Sequence, residues 1–366
     1  MPYKYKFTNK IVRDLMTIEA AREAVGGAIL HPATAESLRR RARVRSTHHS
    51  TRIEGNRLTL KEAKAVLDGE KKLLGKERDV VEVKNYYNSL QKVEEWAEAG
   101  IDITEERVRK LHAVIHKGPK AKATEYRDGQ NVIRDAATGA IIYLPPEAKD
   151  VARLMKELFA WLAKSEKEDI PVPIVAGVSH YQFVTIHPFY DGNGRAARMF
   201  ATWILYRGSY DLGKFFSLEE FYAEDLNGYY EALQTHPKHN YYDGRDRADI
   251  TPWLEYFTHA MADVFQHVSA EVMKKTKEKP HGARFTGNIV NLDRRARIAL
   301  GLFSESPTIA TRQVAAALGL SERQTRDLLS QWVKQGWLVV SDSSNKARRY
   351  DLSAVYRRFI GGLQDD

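Results

Sequence analysis

The chain has 366 residues, 43% hydrophobic and 29% charged, which excludes disorder over most of its length and suffices for two or three domains of roughly 100–200 residues each. Cysteine is absent, so there are no disulfides, no thiolate nucleophile and no cysteine-ligated zinc or iron–sulfur site, and any metal must bind through oxygen or imidazole. Lys and Arg outnumber Asp and Glu by 57 to 48, a formal charge of +9 that favours an anionic partner without choosing among nucleic acid, nucleotide and acidic protein. In chain order, Met1–Phe7 lacks the apolar core of a secretory signal, and no later stretch approaches the roughly 18 apolar residues of a spanning helix, so a cytoplasmic protein with no membrane partner is expected. Residues 9–30 and 32–49 have helical spacing, and Thr59 with Glu62 forms a capping box that opens a helix over Leu60–Leu67. Further helices are expected near Val80–Ala99 and over Thr104–Lys117, where Val108, Leu111, Val114 and Ile115 line one face. Then comes a hairpin, with strands Asn131–Arg134 and Ala140–Leu144 around a turn at Asp135–Gly139 and a stop at Pro145-Pro146. Helices resume at Pro146–Ser165 and continue to about residue 272.

Lys274–His281 holds four lysines and a proline and reads as a solvated linker. Beyond it, helices are expected over Arg294–Phe303, Thr311–Leu318 and from a capping box at Ser321–Gln324 through Lys334; strands are expected at Trp337–Ser341 and Ala347–Leu352. Residues 281–366 carry 13 basic against 8 acidic side chains, more than half of the chain's excess in under a quarter of its length. Three helices and a two-stranded wing resemble a winged helix-turn-helix, with Arg323, Arg326, Lys346, Arg348 and Arg349 as phosphate contacts if it binds DNA; a protein–protein module would use the same fold.

The densest polar cluster runs from Ile186 to Arg198 and leads into the apolar helical run Met199–Leu205. Gly192-Asn-Gly194 is a turn feeding a helix N-terminus, where free N–H groups and the helix dipole suit an anion. Arg195 and Arg198 are neighbours on one face of the first turns, and two guanidiniums beside amide donors suit a polyphosphate. Asp191 is an oxygen ligand of the kind Mg²⁺ uses beside phosphates, and His187 can take a proton near neutral pH. Each alone has a plainer reading, as a packed histidine, a turn or a solvated arginine pair; together within twelve residues they describe a site. Gly192-x-Gly194-x-x-Ala197 also matches the dinucleotide fingerprint, with no alternating strands and helices around it to support it, and there is no Walker A sequence.

His187-Pro-Phe-Tyr-Asp-Gly-Asn-Gly-Arg-Ala-Ala-Arg198 resembles the Fic family signature HPFx(D/E)GNGRxxR at every defined position. The resemblance covers about residues 35–272. It implies a mainly α protein, with an all-helical core and a β-hairpin flap, that transfers AMP from ATP to a Ser, Thr or Tyr hydroxyl of a target protein. His187 would be the base, Asp191 would hold Mg²⁺ on the α- and β-phosphates, and Gly192, Asn193 and Gly194 would form the anion nest. Arg195 would grip the β-phosphate and Arg198 the γ-phosphate, with Phe189 as a core anchor. The hairpin would be the flap that holds a target segment, clamped by Ile142 and Tyr143. Tyr230 would contact adenine, and residues 236–247 are longer than the family's usual spacing. Ser50-Thr-Arg-Ile-Glu54-Gly55 is similar to the family's inhibitory motif (S/T)xxxE(G/N), which implies that Glu54 pairs with Arg198 and that Ser50 supports the inhibitory helix. The chain then divides into an N-terminal helical region (1–110), a catalytic core (111–272), a linker (273–284) and a winged helix-turn-helix (285–366). Two other functions fit the same residues: a DNA-binding regulator whose core senses nucleotide, or an enzyme that uses Glu54 to remove AMP. A homodimer is left open.

Overall fold

The computed structural model describes residues 3–28, 30, 32–69, 73–134, 138–277, 294–303, 306–342, 344, 348–353 and 357. The most apolar helix sets the architecture: α7 (Val172–Ile186) buries twelve of its fifteen residues, and a helix apolar on every side belongs at the centre. Against it pack α8 (Asn193–Arg207), α6 (Ala148–Ser165) and α11 (Thr251–Lys277). Outside these lie α4 (Glu77–Glu98) and α5 (Glu105–Lys117) on α8, and α1 (Asn9–Gly26) on α11. Phe183, Phe200, Trp203, Trp253 and Phe257 are fully enclosed at their junction. No helix among the described residues is long and apolar enough to cross a membrane.

α2 (Pro32–Ile53) has few large apolar residues and is held by buried polar contacts instead. Arg43 forks onto Glu94 of α4, with Nε–Oε1 and Nη2–Oε2 both at 2.8 Å, and its Nη1 reaches Glu36 at 3.2 Å. Glu219 of α9 (Leu218–Glu224) accepts from Ser46, and from the Tyr86 hydroxyl at 2.9 Å. A buried bidentate pair adds little net stability, yet loss of one member leaves an uncompensated charge that costs about 3–5 kcal/mol. These contacts therefore fix the register of α2 and with it the position of its C-terminal end. The helix runs four residues further than the spacing predicts, so Ser50 lies within it and Glu54 just beyond, before Gly55 turns the chain at φ 89°.

Short α3 (Leu60–Leu67) has the expected bounds and capping box. The hairpin forms as two short antiparallel strands, β1 (Ile133–Arg134) and β2 (Ile141–Tyr143), with Ile133 opposite Tyr143. Residues 236–247 brace it from behind: Leu144 N–H donates to His239 O at 2.8 Å, Tyr241 N–H donates to Leu144 O at 3.0 Å, and the Arg245 guanidinium lies 5.0 Å from the Tyr143 ring centroid. The long spacing there thus serves the hairpin stem.

The last described elements are α12 (Arg294–Leu302), β3 (Ile309–Ala310), α13 (Thr311–Leu318), α14 (Glu322–Lys334), β4 (Leu338–Asp342) and β5 (Arg349–Leu352). The strands form one antiparallel sheet in the order β3-β5-β4, and β3, two residues long, was not foreseen. Their apolar residues form a core separate from the main one, around Phe303, Leu329, Trp332, Trp337 and Tyr350. α12 packs on α2 so closely that a Cβ on Gly301 would stand 3.0 Å from Glu36 Cγ. One expectation is corrected: Lys274–Lys277 is the last turn of α11 and not linker, since lysines are favourable at a helix C-terminus. The rest of the expected linker, 278–284, and Lys346 lie outside the described residues.

Candidate active site

α7 ends at His187, which adopts the left-handed conformation (φ 53°, ψ 60°) while its N–H caps Phe183 O at 3.0 Å. A non-glycine residue there is strained unless its surroundings hold it, and the following carbonyls are held one by one. Buried Arg127 donates from Nε to His187 O at 2.9 Å and from its backbone N–H to Pro188 O at 3.0 Å. The Asn193 side chain closes a reciprocal pair with Phe189, accepting its N–H at 2.9 Å and donating to its carbonyl at 2.7 Å. Asn131 adds Nδ2 at 3.2 Å to the same carbonyl. Phe189 is buried as expected, and the His112 ring stacks on it at 3.7 Å between centroids.

The loop then enters α8. Gly192, the N-cap, has φ 78°, which glycine adopts without strain, and its N–H donates to Asp191 Oδ1 at 2.6 Å. The Asp191 carboxylate remains 55% exposed, with Arg195 at 3.6 Å and His116 at 3.8 Å. The free N–H groups of the first turn of α8 thus lie beside a carboxylate, a buried arginine and the histidine that ends α7. Burial is the main influence on His187, drawing its pKa down to about 4; Arg127 pushes the same way, against the Val184 backbone, Glu54 and Asp191. The imidazole is therefore neutral at pH 7, and part of its surface remains open.

Glu54 lies over this turn. Its Oε1 accepts from Arg198 Nη2 at 2.9 Å, while Arg198 also donates from Nε to Ser50 Oγ and from Nη2 to Ser50 O, both at 2.9 Å. A Cβ on Gly194 would stand only 2.4 Å from Glu54 Oε1, so the carboxylate presses on the backbone where an anion would be cradled. Arg198 is almost wholly enclosed; burial alone would lower its pKa, but Glu54, with Tyr229 and Tyr86, holds it above the ordinary value. Behind it, Tyr229 hydroxyl meets His180 Nε2 at 3.1 Å. Tyr230, on α10 (Leu226–Leu233), is 42% exposed and reaches Ile53 O at 3.5 Å.

His187, Asp191, Gly192, Asn193, Gly194, Arg195, Arg198, Ser50, Glu54 and Tyr230 therefore converge on one place, with Gly55 at the adjoining turn. Tyr143 does not serve as an exposed clamp: it is 6% exposed, and its hydroxyl donates to Thr185 O at 2.8 Å. Ile142 is half-buried, and the strand's exposed apolar side chain is Ile141. Sequence reasoning missed His112, Arg127 and Asn131. A polar residue on the apolar stripe of α5 was the only signal for His112; Arg127 and Asn131 lie in an irregular segment without one.

Residues 102–205, which span α5 to most of α8, match the family model described as Fic/DOC family. The chain is 29% identical over 221 residues to a protein adenylyltransferase Fic from Nematostella vectensis, covering 57% of this chain and 44% of that relative. It is 27% identical over 201 residues to the protein of the same name from Drosophila yakuba, covering 54% and 39% respectively. The chain thus spans about two-fifths of the length of these curated relatives. A crystal structure of a Fic family protein from Desulfovibrio desulfuricans G20 superposes with a TM-score of 0.60 at 26% identity, covering 97% of this chain and 99% of that one.

Proposed function

We propose that the protein is an adenylyltransferase that moves AMP from ATP to a hydroxyl side chain of a target protein, held inactive by Glu54. The observation that carries this reading is the engagement of Arg198 by Ser50 and Glu54 at the N-terminus of α8, beside His187. Triphosphate seated on the Gly192–Gly194 turn would have its β-phosphate near Arg195 and its γ-phosphate at Arg198, the position Glu54 now occupies. The Tyr230 ring beside Ile53 offers a face to the adenine. In the reaction, the target oxygen forms a bond to the α-phosphorus, the bond to the β-phosphate oxygen breaks, pyrophosphate leaves, and the hydroxyl proton passes to His187. Among the described residues no cluster of three or more acidic or histidine side chains could hold a resident metal. A single exposed carboxylate, Asp191, fits Mg²⁺ that arrives with the nucleotide and neutralises its phosphates. Incubation with α- or γ-labelled ATP tests the reaction class: label on protein from the α position alone is expected, and label from the γ position would make it a kinase.

A neutral His187 sets the pH dependence. Its lowered pKa keeps the base form from pH 8 down to pH 6, so kcat/KM of an uninhibited variant should stay level across that range. A fall to half near pH 6.5, as an ordinary histidine gives, would contradict the assignment.

We read α12–α14 with the β3-β5-β4 sheet as a winged helix-turn-helix. Arg323, Arg326, Arg348 and Arg349 are exposed, as DNA contact requires; Arg326 is already paired with Glu322 at 2.9 Å, and exposed Asp327 shares the helix. That mixture fits a protein partner as well as DNA, so the regulator reading keeps its place beside the enzyme.

A further inference from the structure

We infer that His112, which lies outside the motif, is a positioning residue that aims Asp191 and the Gly192 turn at the nucleotide; the inference rests on the transferase reading. His112 is only 2% exposed and both of its ring nitrogens are engaged. Nε2 lies 2.8 Å from Asp191 O and Nδ1 lies 3.0 Å from Thr124 Oγ1. A carbonyl can only accept, so Nε2 carries the proton, and the Thr124 hydroxyl donates to Nδ1 of the neutral ring. The ring is fixed a second way by its stack on Phe189, 17° from parallel.

The carbonyl of Asp191 and the N–H of Gly192 belong to one planar peptide and point in opposite directions. Pinning the carbonyl to His112 therefore turns the Gly192 N–H toward Asp191 Oδ1, the 2.6 Å bond that orients the carboxylate. The carbonyls of His187, Phe189 and Tyr190 are held by Arg127, Asn193 and Asn131 respectively, so the Asp191–Gly192 peptide is the part of the loop that depends on His112. Space is tight on that side: a Cβ on Gly192 would stand 3.2 Å from His112 Nε2. Without the donor this peptide is free to rotate, moving the proposed Mg²⁺-binding carboxylate and the entry to α8 together.

The test compares His112→Phe, which keeps the stack and loses the donor, with His112→Gln, which keeps a donor and loses the ring, both in an Glu54→Gly chain. Thr124→Val, which leaves the donor in place and frees its tautomer, is the third variant. Three quantities are read: hydrogen exchange at the Gly192 amide, MgATP affinity with His187→Ala added to prevent transfer, and the kcat and KM of labelling. His112→Phe should speed Gly192 exchange about tenfold and lower kcat by about 10- to 100-fold, as a misplacement near 1 Å does. His112→Gln should recover most of both, and Thr124→Val should fall between. Equal damage from His112→Phe and His112→Gln, or none from either, would overturn the inference. If His112→Phe does not fold, unchanged Gly192 exchange in Thr124→Val overturns it instead. Exchange and affinity need no turnover, so they still report on His112 if no variant transfers AMP and the transferase reading fails.

Discussion

Replacement of Glu54 by glycine should raise AMP transfer by about 10²-fold, measured as protein label from α-labelled ATP at fixed Mg²⁺, because a misplaced reacting group costs about that much. Three contacts now hold the Arg198 guanidinium, two from Ser50 and one from Glu54. Only the Glu54 contact also places a negative charge over the first turn of α8, so in the proposed reading it would oppose phosphate twice, by occupying the arginine and by repulsion. Its removal leaves Ser50, Tyr229 and the α8 backbone to keep Arg198 in place, so the guanidinium stays aimed while its charge becomes available. Arg198→Ala added to the glycine variant should return labelling to the wild-type level or below. Equal labelling by wild type and Glu54→Gly would defeat the inhibitory role. Faster release of AMP from a prelabelled protein by wild type than by Glu54→Gly would reverse the direction of the enzyme, with Glu54 then acting on water.

What the sequence could disclose follows from the range of the interactions involved. The turn at Gly192, the histidine at 187 and the arginines of α8 lie within twelve residues, so their geometry is set by local helix and turn rules. Ser50 and Glu54 lie about 144 residues away and were legible only through a resemblance; nothing local says that α2 ends against α8. Helix bounds marked by caps, as at Thr59, Thr104, Gly319 and Ser321, agree with expectation to within a residue. Where the signal was composition alone, it failed: four lysines after Val272 read as linker, yet three of them continue α11. Tyr143 failed for another reason. Alternation in a strand tells that neighbours face opposite sides, not which side meets the core, and here Thr185 and Arg245 claim the tyrosine. His112 and Arg127 stabilise carbonyls some 60 to 79 residues distant, and a single sequence has no local pattern for such a bond.

His187→Ala in the Glu54→Gly chain should abolish labelling, a loss of about 10³-fold or more, toward the upper end of what one positioned base contributes. The size follows from the surroundings. The backbone of residue 187 is fixed at the left-handed end of α7 by its N–H bond to Phe183 O and by the Arg127 bond to its carbonyl, and alanine keeps both contacts, so the substitution removes the imidazole alone. The two other imidazoles at the loop are engaged elsewhere: His112 with the Asp191 carbonyl at 2.8 Å and with Thr124 Oγ1 at 3.0 Å, and His116 with Asp191 Oδ2 at 3.8 Å. Nucleotide affinity should change little, because in the proposed reading the phosphates would be gripped by the α8 N-terminus, Arg195 and Arg198, none of which bonds to the imidazole. Unchanged MgATP binding with labelling lost places His187 in the proton transfer; binding lost to the same extent would make it a structural cap on α7. Residual labelling within tenfold of the parent would show that the hydroxyl needs no protein base, and the assignment of His187 would fall while the arginine site stood.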